Sequence, residues 1–197
     1  MNIAALLASL EASAPATTIR NSLYIFPLLE ATHVFGLAMV FGTIAIIDLR
    51  LLGVASTHRP FTRMASEILK WTWAAFALTA ATGVLMFTTN AGVYYHNVFF
   101  RTKMLMLVLA GINMLVFDLT AGRTTQQWDK SPSAPLAGKT AAALSLVIWI
   151  TVIFLGRWIG FTTTRASVAP APGPEINFDN LFPGAPDDGA APKPPQK

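Results

Sequence analysis

Six ionisable side chains could carry chemistry in this sequence, and all of them lie in or beside long apolar stretches. Lipid cannot solvate a charge, so an ionisable residue within an apolar stretch is a candidate functional residue. Glu30 and His33 are three residues apart and therefore share one face of a helix. The complete set is Glu30, His33, His96, Arg101, Lys103 and Arg157.

This set of side chains suits a b-type haem. Such a haem takes one or two axial imidazoles, and its propionates need cations. We expect His33 and His96 to be the axial ligands of the haem iron, with Glu30 as the acceptor that fixes the ring of His33. The cations expected to hold the propionates are Arg101, Lys103 and Arg157.

Other chemistries remain open for the same residues. A helix histidine can simply hydrogen-bond to a neighbour, and Arg101 and Lys103 can extend to lipid headgroups, which would make the set a structural polar cluster. A quinone or metal site is a further alternative. The Glu-x-x-His pair occurs once, whereas di-iron bundles use it twice with two more Glu residues. Copper(I) accepts thioether ligands, but Met104 and Met106 point to different helix faces.

The composition indicates that these residues belong to a membrane protein. Of 197 residues, 53% are hydrophobic and 12% are charged, and the mean hydropathy is +0.51. A soluble domain carries about twice that charged fraction. A disordered chain, a nucleic-acid-binding domain and an ordinary cytosolic enzyme are therefore excluded. The chain has no cysteine, which excludes disulfides, iron–sulfur clusters and thiolate zinc sites.

The sequence contains four apolar stretches, at about 23–52, 71–87, 104–119 and 141–161. Each is near the length that crosses about 30 Å of hydrocarbon. They must be helices, because a lone strand would leave its backbone groups unpaired in lipid. The sequence thus predicts an all-α fold, an integral membrane bundle of four transmembrane helices.

Small residues at four-residue spacing predict where these helices approach one another closely. They occur in the first two stretches, at Ala38 and Gly42 and at Ala75, Thr79 and Gly83.

The segments on either side of the transmembrane domain, 21–161, have a different character. Residues 1–20 are expected to be an interfacial segment, with a retained interfacial helix over its apolar part, Met1 to Leu10. Signal-peptide cleavage near Ala12-Ser13-Ala14 is the alternative, which the lack of a preceding Lys or Arg disfavours. The tail, 162–197, is rich in Pro, Gly and Ala and is expected to be disordered. Its apolar island, Ile176 to Phe182, is either a docking motif for a partner subunit or inert.

An even number of spans puts both termini on one side and both connecting loops on the other. Segment 56–70 carries several charges and predicts a short helix on the membrane surface, with His58 exposed. Asp48 and Arg50 indicate a boundary pair or a cytoplasmic anchor. Lys and Arg near the span ends favour the loops as cytoplasmic, so we predict that both termini are periplasmic.

Four short motifs resemble an uncharacterised family of bacterial four-helix inner-membrane proteins. They are PLLEATHVFG at 27–36, DLRLLG at 48–53, NVFFRTK at 97–103 and GRWI at 156–159. The resemblance covers about residues 1–161 and implies a bacterial inner-membrane location. More remotely, the chain is similar to the copper-resistance D family and to the haem-containing membrane protoporphyrinogen oxidases. Their patterns would map onto His33 and, more loosely, onto Arg101 and Lys103, and this likeness implies haem without naming a substrate.

We therefore expect a b-type cytochrome-like membrane protein that relays electrons between quinol and an extracytoplasmic partner. Haem b is the expected cofactor, the lipid bilayer and a quinone are the expected small-molecule partners, and a partner subunit would dock on the tail. No nucleic acid is expected to bind. The alternative is a non-catalytic accessory or scaffold subunit of a membrane complex.

Overall fold

The computed structural model of the protein describes residues 2–132 and 134–167, and their side chains up to Thr163. Every regular element in this part of the chain is helical. Four long helices, α3, α4, α6 and α8, are long and apolar enough to cross a membrane. Their bounds are Ile25–Leu52, Phe61–Thr89, Val98–Leu119 and Leu136–Ser167. The prediction of four transmembrane helices is therefore confirmed.

Short helices connect and precede the long ones. Two of them, α1 at Ile3–Glu11 and α2 at Ala14–Asn21, precede α3. Another, α5 at Ala91–His96, joins α4 to α6. A short 3-10 turn and α7, Thr125–Trp128, follow α6. Residues 53–60 and 120–135 lie at one end of the bundle, called the loop end here, and the opposite end is called the α5 end.

Local sequence explains where the long helices begin and end. Gly53 ends α3 in the left-handed conformation (φ 79°), which glycine adopts without steric cost. The side chain of Asn97 accepts from the backbone N–H groups of Phe99 (2.9 Å) and Phe100 (3.2 Å) and so caps α6. Pro60 precedes the first residue of α4.

Helix α4 differs from the prediction of a separate surface helix at 56–70. It begins at Phe61 and continues without a break to Thr89. No Gly or Pro interrupts the chain between Pro60 and Gly83, so nothing in that segment ends the helix. Three charged residues of the segment, Arg63, Glu67 and Lys70, therefore lie in the first turns of a transmembrane helix, whereas Arg59 precedes it. His58 is exposed, as expected.

Helix α3 packs between α4 and α8, and α6 packs mainly on α8. Helices α4 and α6 meet through aromatic rings at both ends of the bundle. The ring centroids of Phe61 and Phe117 are 6.0 Å apart at the loop end, and those of Phe87 and Phe100 are 5.4 Å apart at the α5 end. The shared core includes buried residues of three helices, Val40, Ala75 and Val152.

The small residues of α4 lie on its contact with α3, as predicted. A Cβ on Gly36 of α3 would come within 3.4 Å of the Ala75 carbonyl and would clash with the Thr79 hydroxyl. The prediction for Ala38 and Gly42 is wrong, because Ala38 is exposed and a Cβ on Gly42 would meet no atom within 4 Å. The close α3–α4 approach therefore lies nearer the α5 end.

At the loop end, Arg50 ties the two connecting segments together. Its side chain is fully buried, at 0% exposed. Its guanidinium donates to the backbone carbonyls of Arg59 (3.1 Å), Asp129 (3.3 Å), Ser131 (2.9 Å) and Pro132 (3.4 Å). No ion pair joins it to Asp48 within the described residues. Arg50 is thus an anchor for both loops rather than half of a boundary pair.

At the α5 end, the N-terminal segment docks on the bundle. Arg20 donates to the carbonyls of Thr89 (2.9 Å) and Glu11 (2.6 Å). The Glu11 carboxylate accepts from the backbone N–H of Gly92 (2.8 Å). The helix expected at Met1 to Leu10 corresponds to α1, and a second helix, α2, follows it; together they pack on α4 and α5. At the other terminus α8 continues to Ser167, and residues 168–197, with the island at 176–182, lie outside the described residues.

We expect Arg50→Ala to lower the free energy of unfolding by about 2–4 kcal/mol, because it removes a fully buried side chain that donates to four loop carbonyls. Arg50→Lys keeps the charge but has fewer donors, so its free energy of unfolding should lie between those of the wild type and Arg50→Ala. The measurement is thermal unfolding of the full chain in detergent, followed by circular dichroism. Arg59→Ala is the matched control, since only the backbone carbonyl of Arg59 takes part. If Arg50→Ala and Arg59→Ala unfolded at the same temperature, the anchoring role of Arg50 would be contradicted.

Candidate functional site

His33 lies on α3 and faces α4 about two turns from the α5 end. Its Nδ1 atom is 2.9 Å from the Thr79 carbonyl oxygen and 3.1 Å from the Thr82 hydroxyl. A carbonyl oxygen can only accept a hydrogen bond, so Nδ1 carries the ring proton and donates a hydrogen bond to the Thr79 carbonyl. The other ring nitrogen, Nε2, then has a free lone pair when the imidazole is neutral.

Helix α4 has the residues that make room for this ring. A Cβ on Gly83 would come within 2.9 Å of Cε1 of His33, so any larger residue there would push the imidazole away. The Thr82 hydroxyl is buried and lies near carbonyls of its own helix, those of Leu78 (2.9 Å) and Thr79 (3.1 Å). It can therefore donate to α4 and accept from His33 at the same time.

Lys103 of α6 is the second predicted residue that reaches this region. It is partly buried, and its Nζ atom lies against α8, 3.7 Å from where a Cβ on Gly156 would stand. The charge of Lys103 also acts on the imidazole of His33. Side chains from α3 and α6 thus lie in the same region of the bundle, His33 beside Gly83 of α4 and Lys103 beside Gly156 of α8. We call this group the His33–Lys103 site; it comprises His33, Thr79, Thr82, Gly83, Lys103 and Gly156.

His96 lies on α5 and is exposed. Its Nδ1 atom is 2.8 Å from the Gly92 carbonyl oxygen, and its ring packs edge-on to Tyr95 with centroids 5.3 Å apart. Tyr94, two residues earlier, faces the bundle, with its ring centroid 5.7 Å from that of Phe100. Residues two apart in a helix point in nearly opposite directions. His96 therefore points away from the bundle, and no described contact joins its ring to that of His33.

Glu30 and the two arginines lie at the edge of the bundle rather than in its interior. Glu30 is exposed, and the acceptor for Nδ1 of His33 is the Thr79 carbonyl instead of the Glu30 carboxylate. Arg101 is exposed beside a shallow cavity of about 460 Å³ on α6. Arg157 is exposed and lies over the ring of Phe161, 5.2 Å from its centroid.

Three aromatic rings from α4, α5 and α6 cluster at the α5 end. Phe87 and Phe100 stack at an interplanar angle of 16°, and Tyr94 packs against both, with centroids 6.3 Å and 5.7 Å away. Burial raises the pKa of the Tyr94 phenol, and the charge of Glu30 adds to this shift. Glu30 is therefore close to this aromatic cluster, one helical turn from His33.

A family model matches residues 22–162. The chain belongs to DUF6644, a family of unknown function. No curated protein and no solved structure matches it. The match covers α3, α4, α6, α8 as far as residue 162 and the whole His33–Lys103 site, whereas α1 and α2 lie outside it. The predicted membership in an uncharacterised family is therefore confirmed, over a range that begins later than the expected residue 1.

In this DUF6644 protein, sequence reasoning did not find the polar partners of His33. Thr79 and Gly83 were assigned to helix packing alone, and Thr82 was not singled out. The spacing of Thr79 and Gly83 was the available signal, because small residues admit a bulky partner as well as a backbone. Within the described residues, no group of three His, Asp or Glu side chains could hold a metal ion.

We expect Gly83→Ala to displace the His33 ring and weaken its bond to Thr79, at a cost of about 1–3 kcal/mol in unfolding free energy. The measurements are thermal unfolding and the side-chain nitrogen NMR signals of His33, which report its protonated nitrogen. Gly111→Ala is the matched control, since a Cβ there would meet no atom within 4 Å. An unchanged His33 signal in Gly83→Ala would refute the contact.

Proposed function

We propose that the protein is a b-type cytochrome-like membrane protein, which relays electrons between membrane quinol and a partner outside the cytoplasm. One observation carries the proposal. Within a transmembrane helix, His33 donates from Nδ1 to the backbone carbonyl of Thr79, which leaves Nε2 as the nitrogen free to bind a metal.

The donor arrangement at His33 fits an axial haem ligand. Metal-binding imidazoles usually donate their second N–H to a carbonyl or carboxylate, which fixes the tautomer and the ring orientation. Thr79 supplies that carbonyl, and Gly83 leaves the space in which the ring lies. A neutral imidazole with this tautomer offers a lone pair on Nε2.

The charge beside His33 supports the same proposal. Lys103 is a cation within the membrane domain and has no ion-pair partner among the described residues. A haem propionate would supply the counter-charge that this ammonium lacks. Arg101 and Arg157, which are exposed near the α5 end, would pair with a propionate that extends toward the membrane surface.

His96 fits less well as the second axial ligand. Its Nε2 is also free, because Nδ1 lies against the Gly92 carbonyl. To reach the iron bound by His33, however, α5 would have to turn its outer face toward the bundle. We therefore propose that His33 would bind the haem iron. Whether His96 also binds it is tested separately below.

A bound haem would supply reversible one-electron transfer. The chain's own residues would hold and orient it: Thr79 keeps the proton on Nδ1 of His33, and Lys103 contributes the compensating charge. The expected docking island at 176–182 and the quinone site belong to the same proposal.

The decisive measurement is the visible spectrum of the full chain, purified in detergent after expression with ample haem supply. We expect a Soret band that shifts on reduction with dithionite. His33→Ala should abolish the band, because it removes the proposed ligand. His58→Ala is the matched control, since His58 is exposed at the loop end.

Substitution of His96 then separates one-histidine from two-histidine ligation. If His96→Ala leaves the reduced spectrum unchanged, His33 alone supplies a protein imidazole. A purified protein without a Soret band, or one whose band survives His33→Ala, would overturn the proposal. The first result would leave the accessory-subunit alternative.

A further inference from the structure

Asp48 is a carboxyl buried inside the membrane domain that no part of the proposed electron relay uses. It lies on α3, four residues before the helix ends at Leu52, and is 5% exposed. This position is about 6 Å from the loop end of the helix. Ser145 on α8 is its polar side-chain neighbour. The Oδ2 atom is buried and has no hydrogen-bond partner among the described residues.

Within the described part of the chain, no cation forms an ion pair with Asp48. Arg50 is two residues away, but its donors are taken by four loop carbonyls. The charged residues toward the loop end of the other long helices are Arg63, Glu67 and Lys70 of α4, Asp118 of α6 and Lys139 of α8. None of these cations lies within 4.0 Å of the Asp48 carboxyl, and Arg63 is instead paired with Glu67. An ionised Asp48 would therefore be a buried charge without a counter-ion.

Backbone donors cannot stabilise the carboxylate either. Within a helix, free N–H groups occur only in the first turn, because all later ones bond to carbonyls. Two other acidic residues of this chain use such groups. Glu11 accepts from Gly92 in the first turn of α5, and Asp129 accepts from Thr62 in the first turn of α4 (2.7 Å). Asp48 lies in the last turns of α3, where no free N–H is present.

A proton is the smallest group that removes this charge. An isolated carboxylate in an apolar interior costs far more free energy than the neutral acid, and such groups neutralise instead. The unpartnered Oδ2 is the atom that can take the proton without breaking an existing bond. The loop end is the nearer aqueous phase, since the other end of α3 is about 35 Å away.

We propose that Asp48 is a proton-binding site of the transmembrane domain, in which the carboxyl holds a proton on Oδ2 and exchanges it with the aqueous phase at the loop end. This site is independent of haem, so failure of either proposal leaves the other standing.

Dicyclohexylcarbodiimide, an apolar reagent that reacts with protonated carboxyls, tests the site in the wild-type chain. The full chain in lipid nanodiscs is treated over a pH series and examined by peptide mass spectrometry. We expect an adduct at Asp48 that diminishes as pH rises, by about tenfold per pH unit once the acid is mostly ionised. Glu67, which forms an ion pair with Arg63 (3.3 Å), should give no adduct with this reagent.

Sodium ions distinguish a proton site from a cation site. Adding sodium chloride at constant pH should leave the Asp48 adduct unchanged. Suppression of the adduct by sodium would overturn the proposal in favour of a sodium site. Absence of an adduct at Asp48 across the acidic range, with the protein folded, would also overturn it.

Infrared spectroscopy provides a second readout. The neutral acid should give a carboxylic C=O band that shifts in heavy water and disappears in Asp48→Asn. Asp118→Asn is the matched control and should retain the band. Because Asn resembles the protonated acid in shape and charge, Asp48→Asn should unfold at the wild-type temperature. A band that is identical in Asp48→Asn and the wild type would refute the assignment.

Discussion

Lipid offers no water to a buried donor, so the polar side chains of this protein bond to main-chain carbonyls instead. His33 donates to Thr79, and Asn113 of α6 donates to Ala141 of α8 (2.9 Å). Arg50 and Arg20 each donate to carbonyls of two separate segments. These bonds join helices that are distant in sequence, and they hold the bundle in one arrangement at the α5 end, in the middle and at the loop end.

The lack of water in lipid affects buried donors and buried acceptors differently. A donor can bond to a carbonyl almost anywhere along a helix, because a carbonyl oxygen has a second lone pair. A carboxylate needs an N–H, and helices provide free ones only where they begin. Glu11 and Asp129 lie at such beginnings, whereas Asp48 does not. The position of an acidic residue relative to helix starts therefore decides whether it can remain charged in this membrane domain.

The number and the approximate positions of the transmembrane helices could be predicted from the sequence, because a span requires a long apolar run. The exposure of His58 was also within reach. The partner of His33 was not, since every residue has a backbone carbonyl and the small-residue spacing marks Thr79 as a packing position but not as an acceptor. The direction of His96 depends on α5 being helical, and six residues carry too little periodicity to establish that. For Arg50 the sequence left open a boundary pair with Asp48 or an anchor, because its acceptors are loop carbonyls whose positions only the folded chain defines.

The hydrogen bonds of Arg20 and Glu11 hold α1 and α2 on the bundle, and they constrain the order in which the chain assembles. Arg20 bonds to Thr89, 69 residues later, and Glu11 bonds to Gly92, 81 residues later. During synthesis, the first two helices leave the ribosome well before their partners exist. They must wait at the membrane until α3 and α4 have been inserted and α5 has formed. The amino-terminal helices therefore dock late in biogenesis, after the α3–α4 hairpin is complete.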